Sequence, residues 1–179
     1  MTISLLFRII RASASLELGV GECSNVIKKR NAMLRNGIGS LEAELAMDES
    51  IVKQVNQKIN VVNGIIEVLN VAKLCLGEDT RMGLYGILNQ TEIDDLIKIK
   101  TNGSTYENKL MSESFMRKCS IKSWCEYVLS TRGGLISMLS IRENLKKESF
   151  ERIRQYKNEI QFNETELTEF IYTGNVHKY

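Results

Sequence analysis

The sequence has no proline, a single histidine (His177) and few aromatic side chains. Proline deletes a backbone donor and clashes inside a helix at a cost of about 3 kcal/mol, so a chain without it is free to form long helices. One histidine in the C-terminal tail is poorly placed for a Ser-His-Asp arrangement, and zinc wants four ligands at close paired spacing. Cys23, Cys75, Cys119 and Cys125 are scattered with no C-x-x-C pair, so they read as reduced thiols rather than a metal cluster or disulfide framework. No phosphate-cradling G-x-x-x-x-G-K-[ST] loop and no G-x-G-x-x-G turn is present. Glu92, Asp94 and Asp95 form an acidic cluster, which on a short helix is ordinarily exposed. The expectation is a non-enzymatic protein with no catalytic residue, cofactor or metal.

Two further shortages bear on partners. The net charge is only +2, and no basic run is interleaved with aromatics, which argues against a nucleic-acid binder. No stretch reaches the ~18 uninterrupted apolar residues of a membrane span. The opening Met-Thr-Ile-Ser-Leu-Leu-Phe-Arg-Ile-Ile-Arg is broken by Arg8 and Arg11 and lacks a basic lead-in, so it does not read as a signal peptide. A soluble cytoplasmic protein without stable membrane insertion is expected.

What is present is a seven-residue apolar repeat. From Ile3 to Leu69, steps of three and four residues visit twenty positions, fifteen of them apolar. The exceptions are Ser13, Glu17, Ser24, Asn31 and Asp48, and four of these five lie between Ser13 and Asn31. Such a repeat keeps one helical seam against a partner helix. A helix of that length would span roughly 100 Å at 1.5 Å per residue. Gly19 and Gly21 fall in the weak part, where a break is expected. Asn31 and Asp48 at core positions are either imperfect patterning or polar residues that cost stability but penalise wrong registers and wrong partners.

Gly77 suits the C′ position that ends this helix near Leu76, and Asp79 or Thr80 is placed to cap the next. Leu84, Ile87, Leu88, Ile93, Leu96 and Ile97 predict a helix or bent pair of helices over about 80–100. Thr101-Asn-Gly-Ser-Thr is a turn signal. A second long helix is expected from about 105 to 172, followed by a short tail. Its best frame runs Met111, Phe115, Lys118, Lys122, Cys125, Leu129, Arg132, Ile136, Leu139, Glu143, Lys146, Phe150, Ile153, Lys157, Ile160, Glu164, Leu167, Ile171, with eleven of eighteen apolar. Gly133-Gly134 is its weak point, and Trp124 is expected to pack in the core. The predicted fold is all-α: one elongated domain, a long antiparallel two-helix coiled-coil hairpin with a short helical elbow. Its parts are helix one at about 3–76, elbow at about 78–104 and helix two at about 105–172.

Charge along the second helix is uneven. Arg142, Lys146, Lys147, Arg152, Arg154 and Lys157 form a basic section, and Glu164, Glu166 and Glu169 an acidic end. A solvated face with pairs such as Glu143–Lys147 and Glu148–Arg152 accounts for this. The sharper reading is a basic collar that meets an acidic partner surface.

The order of parts resembles the central stalk proteins of type III secretion systems, FliJ-like, with the InvI/SpaM branch most similar. Carrying the resemblance are the heptad helix from Cys23-Ser-Asn-Val-Ile to Ile66-Glu-Val-Leu69 and the segment Arg81-Met-Gly-Leu-Tyr-Gly-Ile-Leu-Asn-Gln-Thr-Glu-Ile-Asp-Asp-Leu-Ile-Lys98. Lys118-Cys-Ser-Ile-Lys-Ser-Trp124 follows, leading into a long charged helix. This chain departs from the branch in Gly133-Gly134 and in a more apolar first helix. The resemblance implies a stalk whose paired ends enter the pore of a hexameric secretion ATPase while the elbow faces the export gate, at the cytoplasmic side of the inner-membrane export apparatus. It also implies contact with secretion chaperones. A secretion chaperone or adaptor, and a structural coiled-coil tether working as a homodimer, are the alternative readings.

Overall fold

The computed structural model describes residues 20–101 and 119–176. They form helix α1 (Val20–Leu76), a short 3-10 helix (Leu84–Gly86), helix α2 (Gln90–Thr101) and helix α3 (Ile121–Val176), with no strand among the described residues. The protein is an all-α helical hairpin. It divides into two compact units, one of residues 1–46 with 146–179 and one of residues 47–145. Each long helix contributes a segment to both units.

The α1 seam lies where the repeat puts it. Ser24, Ile27, Asn31, Leu34, Leu41, Leu45, Asp48, Val55, Val62 and Leu69 are buried, polar members included. Near its end Ile65 is buried as well, while Ile66 is half-buried. There the apolar face widens, because Leu84, Leu88, Ile93 and Leu96 of the elbow pack on it together with Trp124, Val128 and Leu135 of α3. This cluster is the core of the 47–145 unit. The other unit holds a smaller cluster of Leu41, Leu45 and Ile153, flanked by Ile38 and Tyr156.

The register of α3 corrects the sequence frame. The residues turned inward are Ile121, Trp124, Val128, Thr131 and Leu135, one residue earlier than the frame that named Lys122, Cys125, Leu129, Arg132 and Ile136. Leu129 and Ile136 are exposed instead. After Leu135 the inward positions continue through Leu139, Arg142, Lys146 and Ser149 to Ile153, Tyr156, Ile160 and Asn163. Two successive four-residue steps, Thr131 to Leu135 to Leu139, make a stutter that no continuous frame can follow. The chain also offers an apolar residue on both sides of the choice, Val128 beside Leu129 and Leu135 beside Ile136.

Helix boundaries follow local chemistry. Gly77 closes α1 with a φ of 88°, the left-handed conformation that glycine adopts without a Cβ penalty. Its N–H donates to the Lys73 carbonyl at 3.0 Å. Thr80 does not cap the next helix; its hydroxyl donates back to the Leu76 carbonyl at 2.5 Å and satisfies an α1 terminus. The N-cap of α2 is Asn89. Its side chain accepts the Glu92 N–H at 3.0 Å, and Glu92 returns the bond to the Asn89 N–H at 2.8 Å, a reciprocal capping box.

Helix α3 starts at Ile121 rather than near residue 105, since Cys119 and Ser120 are non-helical and Ser120 forms an isolated antiparallel bridge with Arg81. The first-turn donors that a helix leaves unpaired are taken up by the loop after α1. Ile121 N–H donates to Thr80 and Lys122 N–H to Glu78, each at 3.0 Å. The expected helix over 105–118, the stretch 3–19, the glycine at 19 and the turn after Thr101 fall outside the described residues. Helix α1 runs through Gly21, and α3 runs unbroken through Gly133-Gly134.

Candidate partner-binding surface

The basic section of α3 sorts into side chains spent inside the hairpin and side chains that face solvent. Arg142 is spent: its Nη1 lies 2.8 Å from Oδ1 of Asp48, whose side chain is only 12% exposed. A buried carboxylate without a partner is costly, so this guanidinium is structural. Lys157 reaches toward Glu42 across the helix pair at 3.9 Å, and Arg154 pairs with Glu151 along its own helix at 2.8 Å. Lys146 is half-buried, while Lys147 and Arg152 are exposed. Three of the six are thus engaged in ion pairs, Arg142 and Lys157 across the helix pair and Arg154 along α3.

Two features the sequence frame missed reshape this region. Phe150, assigned there to the seam, is turned outward and 53% exposed. Asn163, absent from the frame, is 2% exposed and donates from Nδ2 to Oδ1 of Asn31 at 2.7 Å. A polar residue already predicted at seam position 31 called for a polar counterpart on the second helix, and that demand was the available signal. Flanking the Asn pair, Arg30 meets Glu159 at 2.8 Å and Arg35 meets Glu164 at 2.7 Å. The acidic end of α3 thus includes cross-helix partners.

Trp124 is a core residue. It is 1% exposed, donates from Nε1 to the Met82 carbonyl at 2.9 Å, and meets Tyr127 edge-on with ring centroids 6.3 Å apart. It ties α3 to the segment just after α1.

Nothing described has the arrangement of a reaction centre. Within the acidic cluster, Glu92 belongs to the capping box, Asp94 accepts from Gln90 at 2.8 Å, and Asp95 lies 3.7 Å from Lys98. A cavity of about 280 Å³ beside α2 is lined by Gln54, Gln57, Lys58, Val61, Asp95, Lys98 and Ile99, with no nucleophile paired to a base. Among the described residues no group of three His, Cys, Asp or Glu side chains is placed to hold a metal. Cys75, Cys119 and Cys125 form no disulfide. Burial pushes the Cys125 thiol above its ordinary range, which disfavours the reactive thiolate. At the elbow, the Glu78 carboxyl is held below its ordinary range by the hydrogen bond from Lys73 and then by its charge, and the Lys73 ammonium is raised by the same contact.

The end of α1 is more apolar than the sequence reading allowed. Between Ser24 and Leu76 one window reaches a mean hydropathy of 1.5, long and apolar enough by composition to cross a membrane, with 17% of it buried. Val71, Leu74 and Leu76 are exposed here, Leu74 at 86%. No protein-family model, curated protein or solved structure matches this chain.

Proposed function

We propose that this protein is the non-enzymatic stalk of a type III secretion export apparatus. On this reading it enters the pore of the hexameric ATPase and links it to the export gate, so that ATP hydrolysis is coupled to protein export. The observation that carries the reading is the unit of residues 1–46 and 146–179. There the early part of α1 lies antiparallel to the late part of α3, with register fixed by the Asn31–Asn163 hydrogen bond and two cross-helix Arg–Glu pairs. A paired-helix end with its backbone hydrogen bonds satisfied internally is suited to pass position or torque to a surrounding ring. The order of parts in the sequence, heptad helix, elbow segment, basic residues leading to Trp124 and a long charged helix, supports it. The elbow end would face the export gate, and the exposed Val71, Leu74 and Leu76 would give it an apolar contact surface there. The working location is cytoplasmic, peripheral to the inner-membrane export apparatus.

The test is hydrolysis by the purified secretion ATPase of the same organism, with and without the full chain. Stimulation by the wild-type chain, lost on simultaneous charge reversal at Lys146, Lys147 and Arg154, is the expected result; unchanged ATPase rates reject the stalk. Pull-down from the native host with mass spectrometry of the captured proteins would separate the stalk from a chaperone bound to an unfolded export substrate.

A further inference from the structure

Helix α3 carries a second stripe beside its seam. Leu129, Arg132, Ile136, Leu139 and Glu143 follow one another in steps of three and four, so they share one face. Leu129 and Ile136 are exposed, at 48% and 46%. Arg132 stands between them, half-buried, and its Nε is shielded from solvent with no hydrogen-bond partner among the described residues. Single exposed apolar residues are ordinary. A shielded donor left unmet is rare in a folded protein and calls for an explanation.

This face lies away from α2. In an antiparallel pair, the residues that precede seam positions turn to one side of the pair on both helices, and those that follow turn to the other. Gln54 and Val61, which line the cavity against α2, precede the seam residues Val55 and Val62. Leu129, Arg132 and Ile136 follow the inward residues Val128, Thr131 and Leu135, and Glu143 follows Arg142.

The two ends of the stripe carry opposite charge. Arg132 and Glu143 are eleven residues apart, almost a whole number of turns, with Ile136 and Leu139 placed evenly about their midpoint. Glu49 follows Asp48 as Glu143 follows Arg142, and the bond between Asp48 and Arg142 sets Glu49 at the same acidic end. A stripe with opposite charges set evenly about an apolar centre is complementary to itself run in the opposite direction, which is what a two-fold interface requires. Glu143 already interacts within its own chain, but the two oxygens of a carboxylate can accept from a neighbour and from an arginine together.

We propose that this face pairs with a second copy of the chain about a two-fold axis between Ile136 and Leu139, so that Arg132 of each copy meets Glu143 of the other. The second copy brings the acceptor that Arg132 lacks at home. Exposed ion pairs are weak, so burial of Leu129 and Ile136 supplies the affinity and the two Arg–Glu pairs set the antiparallel register. The pairing does not depend on the stalk reading.

The test is sedimentation equilibrium of the full chain over a range of concentrations, where wild type should reach the mass of two chains. Ile136→Asp, at an exposed position, should weaken association by roughly 10-fold or more, because it buries an unpaired charge. Arg132→Glu and Glu143→Arg each set like charges opposite one another twice and should weaken it about as much. Combining the two reverses both pairs and should restore association to within about threefold of wild type, a recovery that misfolding cannot produce. Ile141→Asp makes an apolar-to-charge change at a residue that precedes Arg142, on the other side of α3, and should leave the dimer intact. A wild type that stays monomeric at every concentration overturns the proposal. So does a dimer that survives Ile136→Asp or is lost equally with Ile141→Asp, since it would use another surface. A combined variant that associates no better than the single ones overturns the reciprocal pairing and the proposal with it.

Discussion

The two units are built from the same two helices, yet they are held together by different forces. In residues 47–145 the helices close on a continuous apolar cluster that includes Trp124, Leu84, Ile93 and Leu96, all essentially inaccessible to solvent. In residues 1–46 with 146–179 the apolar cluster is the smaller one of Leu41, Leu45 and Ile153, with Ile27, Leu34 and Ile160 also buried, and the seam adds the buried Asn pair and flanking ion pairs. Apolar burial is strong and indifferent to register; polar seam contacts are weaker but penalise misalignment. The first unit is therefore mainly a fastening, with Asp48–Arg142 as its own polar seam contact, and the second leans more on alignment, so substitutions should separate the two.

The largest effect is expected in the fastening. Trp124→Ala removes the largest buried side chain and leaves the Met82 carbonyl without its donor, so it should cost about 3–5 kcal/mol. Chemical denaturation gives the total. Amide hydrogen exchange should show the loss concentrated in residues 47–145, and a loss spread evenly along both long helices would erase the distinction between the units.

Next comes the alignment device. Asn31→Leu leaves the buried Asn163 amide without its partner, at a cost of about 1–3 kcal/mol. Replacing both with leucine should recover that stability or exceed it, because an apolar pair satisfies the seam without polar groups to desolvate. The double variant should give up specificity in exchange, detectable as a mixture of association states by light scattering. A double variant as unstable as the single one would show that the amides are not acting as a pair.

How far the sequence revealed this architecture follows from the same contrast. In α1 the repeat was legible down to its polar members, since Asn31 and Asp48 interrupt an otherwise apolar row at seam positions and the structure buries both. In α3 it was not, because adjacent apolar residues offered two frames and the stutter at Leu135–Leu139 forbids any single one. Phe150 was misplaced by this shift, assigned to the seam although it faces outward. The capping box at Asn89–Glu92, readable in the sequence Asn-Gln-Thr-Glu, divides the bent pair expected over about 80–100 into a short 3-10 helix and α2. The role of Trp124 depends on a contact 42 residues away, which no local pattern encodes, whereas the Thr80 hydroxyl bonds a carbonyl only four residues back.

Gly133 and Gly134 sharpen the comparison from the other side. They sit inside α3, in the well-packed unit, with open space where a Cβ would go. Alanine at either position should therefore stabilise by about 1 kcal/mol through helix propensity alone. Gly37 is the counter-example in the polar unit, since its added Cβ would lie 3.0 Å from the Tyr156 ring, and Gly37→Ala should gain less or lose. Thermal unfolding of the three variants checks the ordering.

The smallest effects belong to exposed charge. Arg30–Glu159 and Arg35–Glu164 are each worth about 0–1 kcal/mol at most, and high salt should loosen exchange in their unit slightly more than in the other. The fastening has its own exposed pair, Lys73–Glu78 at 2.8 Å, and its pH dependence has a definite sign. Because the folded Glu78 carboxyl is depressed, its contribution is present at neutral pH and is lost as pH falls through that lowered value. Because the folded Lys73 ammonium is raised, its contribution persists below the ordinary lysine range and is lost only as pH rises through the raised value. Wild type and Glu78→Gln should thus differ by a small constant between those limits and converge in acid. A wild type less stable than Glu78→Gln at neutral pH, and gaining on it as pH fell, would mean that Glu78 is opposed by its surroundings in the folded chain and that the elbow is closed without help from this ion pair.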